Sequence, residues 1–314
     1  MIRKILIGGA ACVVATEVGV ASYLLKKTLR RENTDVEKTK KMSGTNWVKY
    51  ITEIKKKKDW LIKQEHKDIY IKSDDNLKLH GILFPRKDSK RFVICLHGYS
   101  SNAGVSDYVA ISKFYLNMNF NMLMIDARAH GRSEGEYIGF GCLDRMDLLN
   151  WINYVIKNFG DDCEILLHGT SMGGATVLMA SGLNLPQNVK GIISDCPFTS
   201  AWDIFSDILK RIYHINPFPI INIANSICKS IAGYSLKECN SAEEVKKARI
   251  PILLIHGDDD SFVPCSMSKE IYENCNSPKE LFIVNGAGHA ESYYKERKIY
   301  EEKVKKFIDR NLLN

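Results

Sequence analysis

The chain has 314 residues, 45% of them hydrophobic and 26% charged, with 21 Gly and 8 Pro; this excludes a disordered or fibrous protein and leaves room for one large core. Neither a low-complexity run nor a repeat of roughly 20–50 residues is present, which excludes solenoids and propellers. The formal net charge of +7 would suit a nucleic-acid partner if it covered the body, but residues 1–68 hold 16 Lys and Arg against 8 Asp and Glu, and the remainder holds 28 against 29. The basic excess belongs to the N-terminal segment, and no nucleic-acid partner is expected.

Residues 5–25 are apolar except for Thr16, Glu17 and Ser22, with Arg3 and Lys4 before the stretch and Lys26, Lys27, Arg30 and Arg31 after it. The length is close to the ~20 residues that cross hydrocarbon. It predicts a single-pass N-terminal membrane anchor within residues 1–31. Glu17 near mid-span argues against that reading; a cleaved signal peptide, a peripheral helix or a lipoprotein at Cys12 are the alternatives. The heavier basic cluster after the span, and nine cysteines without a C-x-x-C pair, place the rest of the chain on the cytoplasmic, reducing side, with the thiols free and buried.

Residues 32–66 read as a charged tether followed by an amphipathic helix in which Trp47, Ile51, Ile54 and Leu61 recur at near-helical spacing. Residues 67–314 read as one globular domain. It opens with two alternating segments, 69–72 and 77–84, joined by Ser73-Asp74-Asp75-Asn76, the pattern of an antiparallel hairpin. Short continuous apolar runs follow at 92–96, 122–125, 164–167, 191–193, 252–255 and 281–284, separated by helical-period stretches at 106–117, 144–158, 171–183, 266–273 and 292–311. Strands apolar on both faces belong to a parallel sheet covered by helices, so the fold class is α/β, doubly wound. Residues 199–249 are too long for one crossover and rich in apolar residues, chiefly Ile, with Trp202, Phe205 and Phe218. They predict a helical cap insertion, with a helix pair packed on the sheet as the alternative.

The run at 164–167 leads into Gly169-Thr170-Ser171-Met172-Gly173-Gly174 and then a helical stretch. A serine at such a strand–turn–helix elbow is held in strained backbone at the sheet edge, and glycines around it let the turn close. Activating it requires a base and an orienting acid. The two later strands end in His256-Gly257-Asp258-Asp259-Asp260-Ser261-Phe262-Val263-Pro264 and in Asn285-Gly286-Ala287-Gly288-His289, which supply candidates for both. Ser100 and Ser101 lack the glycine elbow, as do Cys95 and Cys196.

Five motifs in order, His97-Gly98-Tyr99-Ser100-Ser101, Asp126-Ala127-Arg128-Ala129-His130-Gly131-Arg132-Ser133, the Ser171 elbow, the His256-Gly257 loop and the loop to His289, resemble the α/β-hydrolases. The resemblance runs from about residue 67 to the C-terminus and is to the serine-aminopeptidase-like branch, which also holds bacterial esterases and lipases. It implies Ser171 as nucleophile, His289 as base and Asp260 as acid, with Asp258 and Asp259 as rivals. It also implies backbone N–H groups of Tyr99 and Met172 as the oxyanion donors. Asp195 matches a structural position. Asp126, Arg128 and His130 read as loop-fixing, His97 and His256 likewise, and His168 as packing.

The expected function is a membrane-tethered serine hydrolase cleaving small or medium carboxylic esters with an apolar acyl or aromatic group. A serine triad needs no cofactor, and neither a metal nor a nucleotide signature is present. A peptidase or amidase of the same fold is the alternative, for which Asp203, Asp207 or Glu238 of the cap could hold a charged terminus; a catalytically silent scaffold is the other.

Overall fold

The structure is a computed structural model that describes residues 2–31, 45–99, 101–103 and 107–312. Of the tether and helix expected over 32–66, residues 32–44 lie outside the described residues, as does the predicted helix start at 106. The chain begins with α1 (Ile2–Leu29); a short turn at Trp47–Tyr50 leads into α2 (Ile51–Leu61), which packs on the body through buried Leu61. The hairpin follows as β1 (Lys67–Lys72) and β2 (Lys78–Phe84), in register from Lys67 opposite Leu83 to Lys72 opposite Lys78.

The alternating α/β part comprises β3 (Arg91–Leu96), α3 (Ser112–Asn117), β4 (Asn121–Ile125), α4 (Asp144–Phe159), β5 (Glu164–Thr170), α5 (Met172–Ala180) and β6 (Val189–Asp195). Between β6 and the next strand lie α6 (Ala201–Asp207), running into a wider π-type turn at Ile208–Ile212, then α7 (Ile220–Ala232) and α8 (Ser241–Glu244). The chain ends with β7 (Ile252–Gly257), α9 (Cys265–Asn274), β8 (Lys279–Val284), α10 (Ser292–Lys295) and α11 (Arg297–Asn311). The stretch expected as one helix over 292–311 breaks at Glu296, whose backbone leaves the helical region.

One eight-stranded sheet has the order β1-β2-β4-β3-β5-β6-β7-β8, with β1–β2 and β2–β4 antiparallel and every other neighbour parallel. This is the mostly parallel α/β architecture expected from the continuous apolar runs. Side chains alternate across the sheet. Phe92, Ile94, Ile165, Leu167, Ile192 and Leu254 face α4, α5 and α9, while Val93, Cys95, Leu166, Ile193 and Leu253 face α2, α3 and α11. On α4, Leu148, Trp151, Ile152 and Val155 form the buried stripe, the spacing that puts apolar groups on one helical face.

The predicted membrane anchor is not supported: among the described residues no helix is long and apolar enough to cross a membrane. The physical reason is visible at its C-terminal end. Ala21, Leu25 and Leu29 are 0, 3 and 0% exposed and belong to an apolar cluster with Phe140, Ile204, Ile221, Ala224 and Cys228. That face of α1 is occupied by protein rather than presented to lipid. The single-pass localisation inferred from residues 5–25 is therefore withdrawn, and with it the membrane tethering.

Candidate active site

Ser171 sits between β5 and α5 with φ 54° and ψ −115°, in the left-handed region that a side chain rarely adopts. Gly169 and Gly173 make the turn possible. A Cβ on Gly169 would overlap the Gly173 backbone, and one on Gly173 would overlap the carbonyl of Leu96 at the end of β3. The Ser171 N–H donates to the Asp195 carbonyl at 2.8 Å, and the Ser171 carbonyl accepts from Ala175 N–H at 2.9 Å. The residue is thereby tied to β6 on one side and to the first turn of α5 on the other.

The loops after β7 and β8 bring the other two groups in. Ser171 Oγ lies 2.9 Å from His289 Nε2, and His289 Nδ1 lies 2.7 Å from Asp260 Oδ2. With Nδ1–H donating to the carboxylate, Nε2 is the nitrogen that accepts from the serine hydroxyl. Asp260 is fixed in turn: its Oδ1 accepts from Phe262 N–H at 2.9 Å and Val263 N–H at 2.8 Å, and His256 Nε2 approaches its Oδ2 at 3.2 Å. Thr45 Oγ1 donates to the His289 carbonyl at 2.7 Å. Of the three neighbouring acids, Asp258 and Asp259 are exposed, and Asp258 accepts from Gly286 N–H; Asp260 is the one that reaches the imidazole.

The electrostatics follow from burial and pairing. Burial alone would push Asp260 up, but the facing His289 and hydrogen bonds from His256 and His289 outweigh it and hold the carboxyl well below the usual range. Burial works against charging His289, yet the Asp260 charge and hydrogen bond win, and the imidazole titrates above its ordinary 6.5. Cys196, with φ 45°, lies beside the pair, so that its sulfur, an Asp260 oxygen and a His289 nitrogen fall within 4.8 Å of one another. Burial pushes that thiol well up. A neutral thiol beside an imidazole and carboxylate already bonded to each other is a packing group rather than part of a metal site.

Tyr99 lies on the loop after β3. Gly98 places that loop against the serine, where an added Cβ would stand 3.3 Å from Ser171 Cβ. Met172 follows the serine at the start of α5 and is buried. The second motif builds the supporting loop. Asp126 accepts from Ala103 N–H at 2.6 Å and Arg132 N–H at 2.9 Å and pairs with His80; Arg128 makes a two-pronged bridge to Asp147 at 2.7 and 2.8 Å and reaches Asp75 at 3.0 Å. His130 Nδ1 donates to the Arg128 carbonyl at 2.9 Å, and burial lowers its pKa to about 3. His97 Nε2 accepts from Ala127 N–H. His168 contacts the hydroxyls of Tyr115 and Tyr300, and burial lowers its pKa to about 3 as well.

Ser171 opens into a cavity of about 810 Å³. Its walls come from Phe198, Phe205 and Ile208, from Ile220 and Ile221 on α7, and from Ala21, Leu24, Leu25 and Thr28 on α1. The α1 wall is the contributor that sequence reasoning missed. A signal did exist, because residues 21, 25 and 29 form a four-residue apolar repeat, but the same repeat was consistent with a lipid-facing span. His80 was also missed; it is buried in an alternating strand and bridges Asp126 and Asp68.

A family model described as serine aminopeptidase, S33, matches residues 87–223, and one described as serine hydrolase (FSH1) matches residues 224–290. The uncharacterized protein YqkD of Bacillus subtilis is 30% identical over 223 residues, 71% of this chain and 72% of that one. YfhR of Escherichia coli K12 is 26% identical over 242 residues, 74% and 77% of the two chains. Among solved structures, the Pyrococcus furiosus esterase Pf2001 matches with a TM-score of 0.67 at 23% identity, covering 81% of this chain and 94% of that one. Est1E from Butyrivibrio proteoclasticus, solved with ferulic acid bound, gives 0.58 at 20% identity, covering 78% and 99%. With the fold and the ordered motifs, these matches define the class. The chain belongs to the α/β-hydrolase superfamily and is similar to its serine hydrolases.

Proposed function

We propose that the protein is a serine carboxylesterase acting through Ser171, His289 and Asp260. The observation that carries this reading is the unbroken hydrogen-bonded chain from Ser171 Oγ through His289 to Asp260, opening into a cavity with mainly apolar walls. Ser171 Oγ attacks the ester carbonyl as His289 Nε2 takes its proton, and Asp260 stabilises the imidazolium and its orientation. The oxyanion is met by the backbone N–H groups of Tyr99 and Met172, the latter aided by the N-terminus of α5; losing one such donor costs about 3 kcal/mol. Collapse expels the alcohol with the proton from His289, leaving an acyl-serine. Water, deprotonated by His289, attacks that acyl group, and the carboxylic acid departs with Ser171 restored.

The substrate is an ester with an apolar acyl or aromatic group, because such a group displaces water from apolar walls. An exopeptidase would need a charged group to hold a chain terminus, and the acids considered for that role are engaged elsewhere. Asp203 accepts from Thr199 and Ser200, Asp207 pairs with Arg211, Glu238 accepts from Ser235 N–H, and none lines the cavity. An aminopeptidase, which would hold a free amine on such an acid, is therefore disfavoured.

The test is labelling with a fluorophosphonate, followed by peptide mapping, alongside hydrolysis of p-nitrophenyl esters. Adduct on Ser171 that disappears in His289→Ala, and ester turnover lowered by at least about 10⁴-fold in Ser171→Ala, are the expected results. Turnover by Ser171→Ala at the wild-type rate would sink the assignment.

A further inference from the structure

The cavity above Ser171 is closed on one side by a helix that lies outside the alternating α/β body. Ala21, Leu24, Leu25 and Thr28 of α1 all line it. Their i, i+3, i+4, i+7 spacing puts them on one helical face. Ala21 and Leu25 belong to one apolar cluster with Phe140, Ile204, Ile221 and Ala224, which also line the cavity and come from the loop before α4 and from α6 and α7.

This wall is fastened by more than apolar contact. The last carbonyls of a helix lack partners within it; here Leu29 O accepts from Ile138 N–H at 2.7 Å and Thr28 O from the Tyr99 hydroxyl at 3.1 Å. Arg31 adds a backbone bond to Glu136 O at 2.8 Å, and its guanidinium donates to the carbonyls of Ser133 at 2.5 Å and Gly131 at 2.7 Å. The helix end is thus attached to the loop carrying Tyr99 and to the loop after β4.

From this placement we infer that the C-terminal turns of α1 are the specificity wall of the acyl site, selecting esters of medium- and long-chain fatty acids. The inference rests on the esterase reading above and deepens it. A cavity of this size is far larger than an acetyl group needs and falls within the range of roughly 300–1,000 Å³ that holds a drug-sized ligand. A short acyl group would leave apolar surface wet, whereas each buried methylene is worth about fourfold in binding. The charged residues on this wall, Lys27, Arg30 and Arg31, are exposed, and Ala21 and Leu25 are covered by protein, which leaves half-buried Leu24 and Thr28 as the part of the helical face open to the acyl chain.

The experiment uses the full chain and measures kcat/KM for p-nitrophenyl acetate, octanoate and laurate. Wild type is compared with Leu24→Trp, which narrows the cavity from a half-buried position, and with Val18→Trp, which lies on α1 at an exposed site outside the cavity. The expected result is a wild-type preference for octanoate and laurate, a laurate-to-acetate ratio at least about tenfold lower in Leu24→Trp, and an unchanged ratio in Val18→Trp. Fluorophosphonate labelling of Ser171 checks that each variant is folded. Should Leu24→Trp not label, Leu24→Ala decides: a fall in the laurate-to-acetate ratio upholds the wall, and an unchanged ratio overturns it. Labelled Leu24→Trp with the wild-type length profile overturns the wall while leaving the esterase reading standing. A wild-type chain that neither labels nor cleaves any ester removes the esterase reading, and this inference with it.

Discussion

His289 is held between two opposing influences, burial and the Asp260 charge, and the second wins. The sign of the pH dependence follows. On the proposed mechanism Nε2 must be unprotonated to accept from Ser171, so activity should be lost as pH falls through the His289 pKa and restored as pH rises through it. The ascending limb of kcat/KM against pH should therefore have its midpoint above 6.5. Asp260→Asn removes the charge that raises the imidazole and also disturbs its tautomer, so its limb should shift to lower pH while kcat falls by roughly 10⁴-fold. A limb that stays in place in Asp260→Asn would show that another group sets it. Asp260 also illustrates what spacing can resolve: three adjacent acids differ by one residue each, and only the one three positions before Val263 is turned inward to the imidazole.

At the scale of elements, the elbow depends on the close approach of α5 to β3. Gly173 faces backbone rather than a movable side chain, so a methyl group there forces the helix away from the sheet. Gly173→Ala should lower unfolding stability by about 3 kcal/mol in denaturant titration and reduce fluorophosphonate labelling of Ser171 in parallel. Loss of stability with labelling at the wild-type rate would mean that the nucleophile does not depend on that approach. The break between α10 and α11 was not legible, because apolar periodicity continues through Glu296 and only the backbone turns there. The strands were legible for the opposite reason: β3 to β7 carry their burial as continuous apolar runs within each segment, and β8, half-buried up to Val284, still carries the apolar run at 281–284.

For the whole molecule, the sheet and the three hydrogen-bonded residues could be read from local patterns, whereas the role of α1 could not. An apolar helix bound for lipid and one bound for protein have the same composition, and what distinguishes them here is a set of partners far away in sequence. If those partners close the cavity over bound acyl chains, occupancy should stabilise the fold. Protein labelled at Ser171 with a dodecyl fluorophosphonate should melt several degrees above protein labelled with an ethyl one, since each additional buried methylene contributes ~0.8 kcal/mol. Equal melting temperatures would place the long chain in solvent.

The attachment of α1 also bears on how the molecule assembles. Arg31 meets Ser133, 102 residues further along the chain, and Leu25 shares a cluster with Ile221 on α7. Contacts of such long range form only once the intervening chain has been brought together. During synthesis α1 emerges well before α7, so its apolar face stays uncovered until most of the body has been made. If the proposed wall holds, the acyl site is completed only when the first helix made docks on one made much later in synthesis.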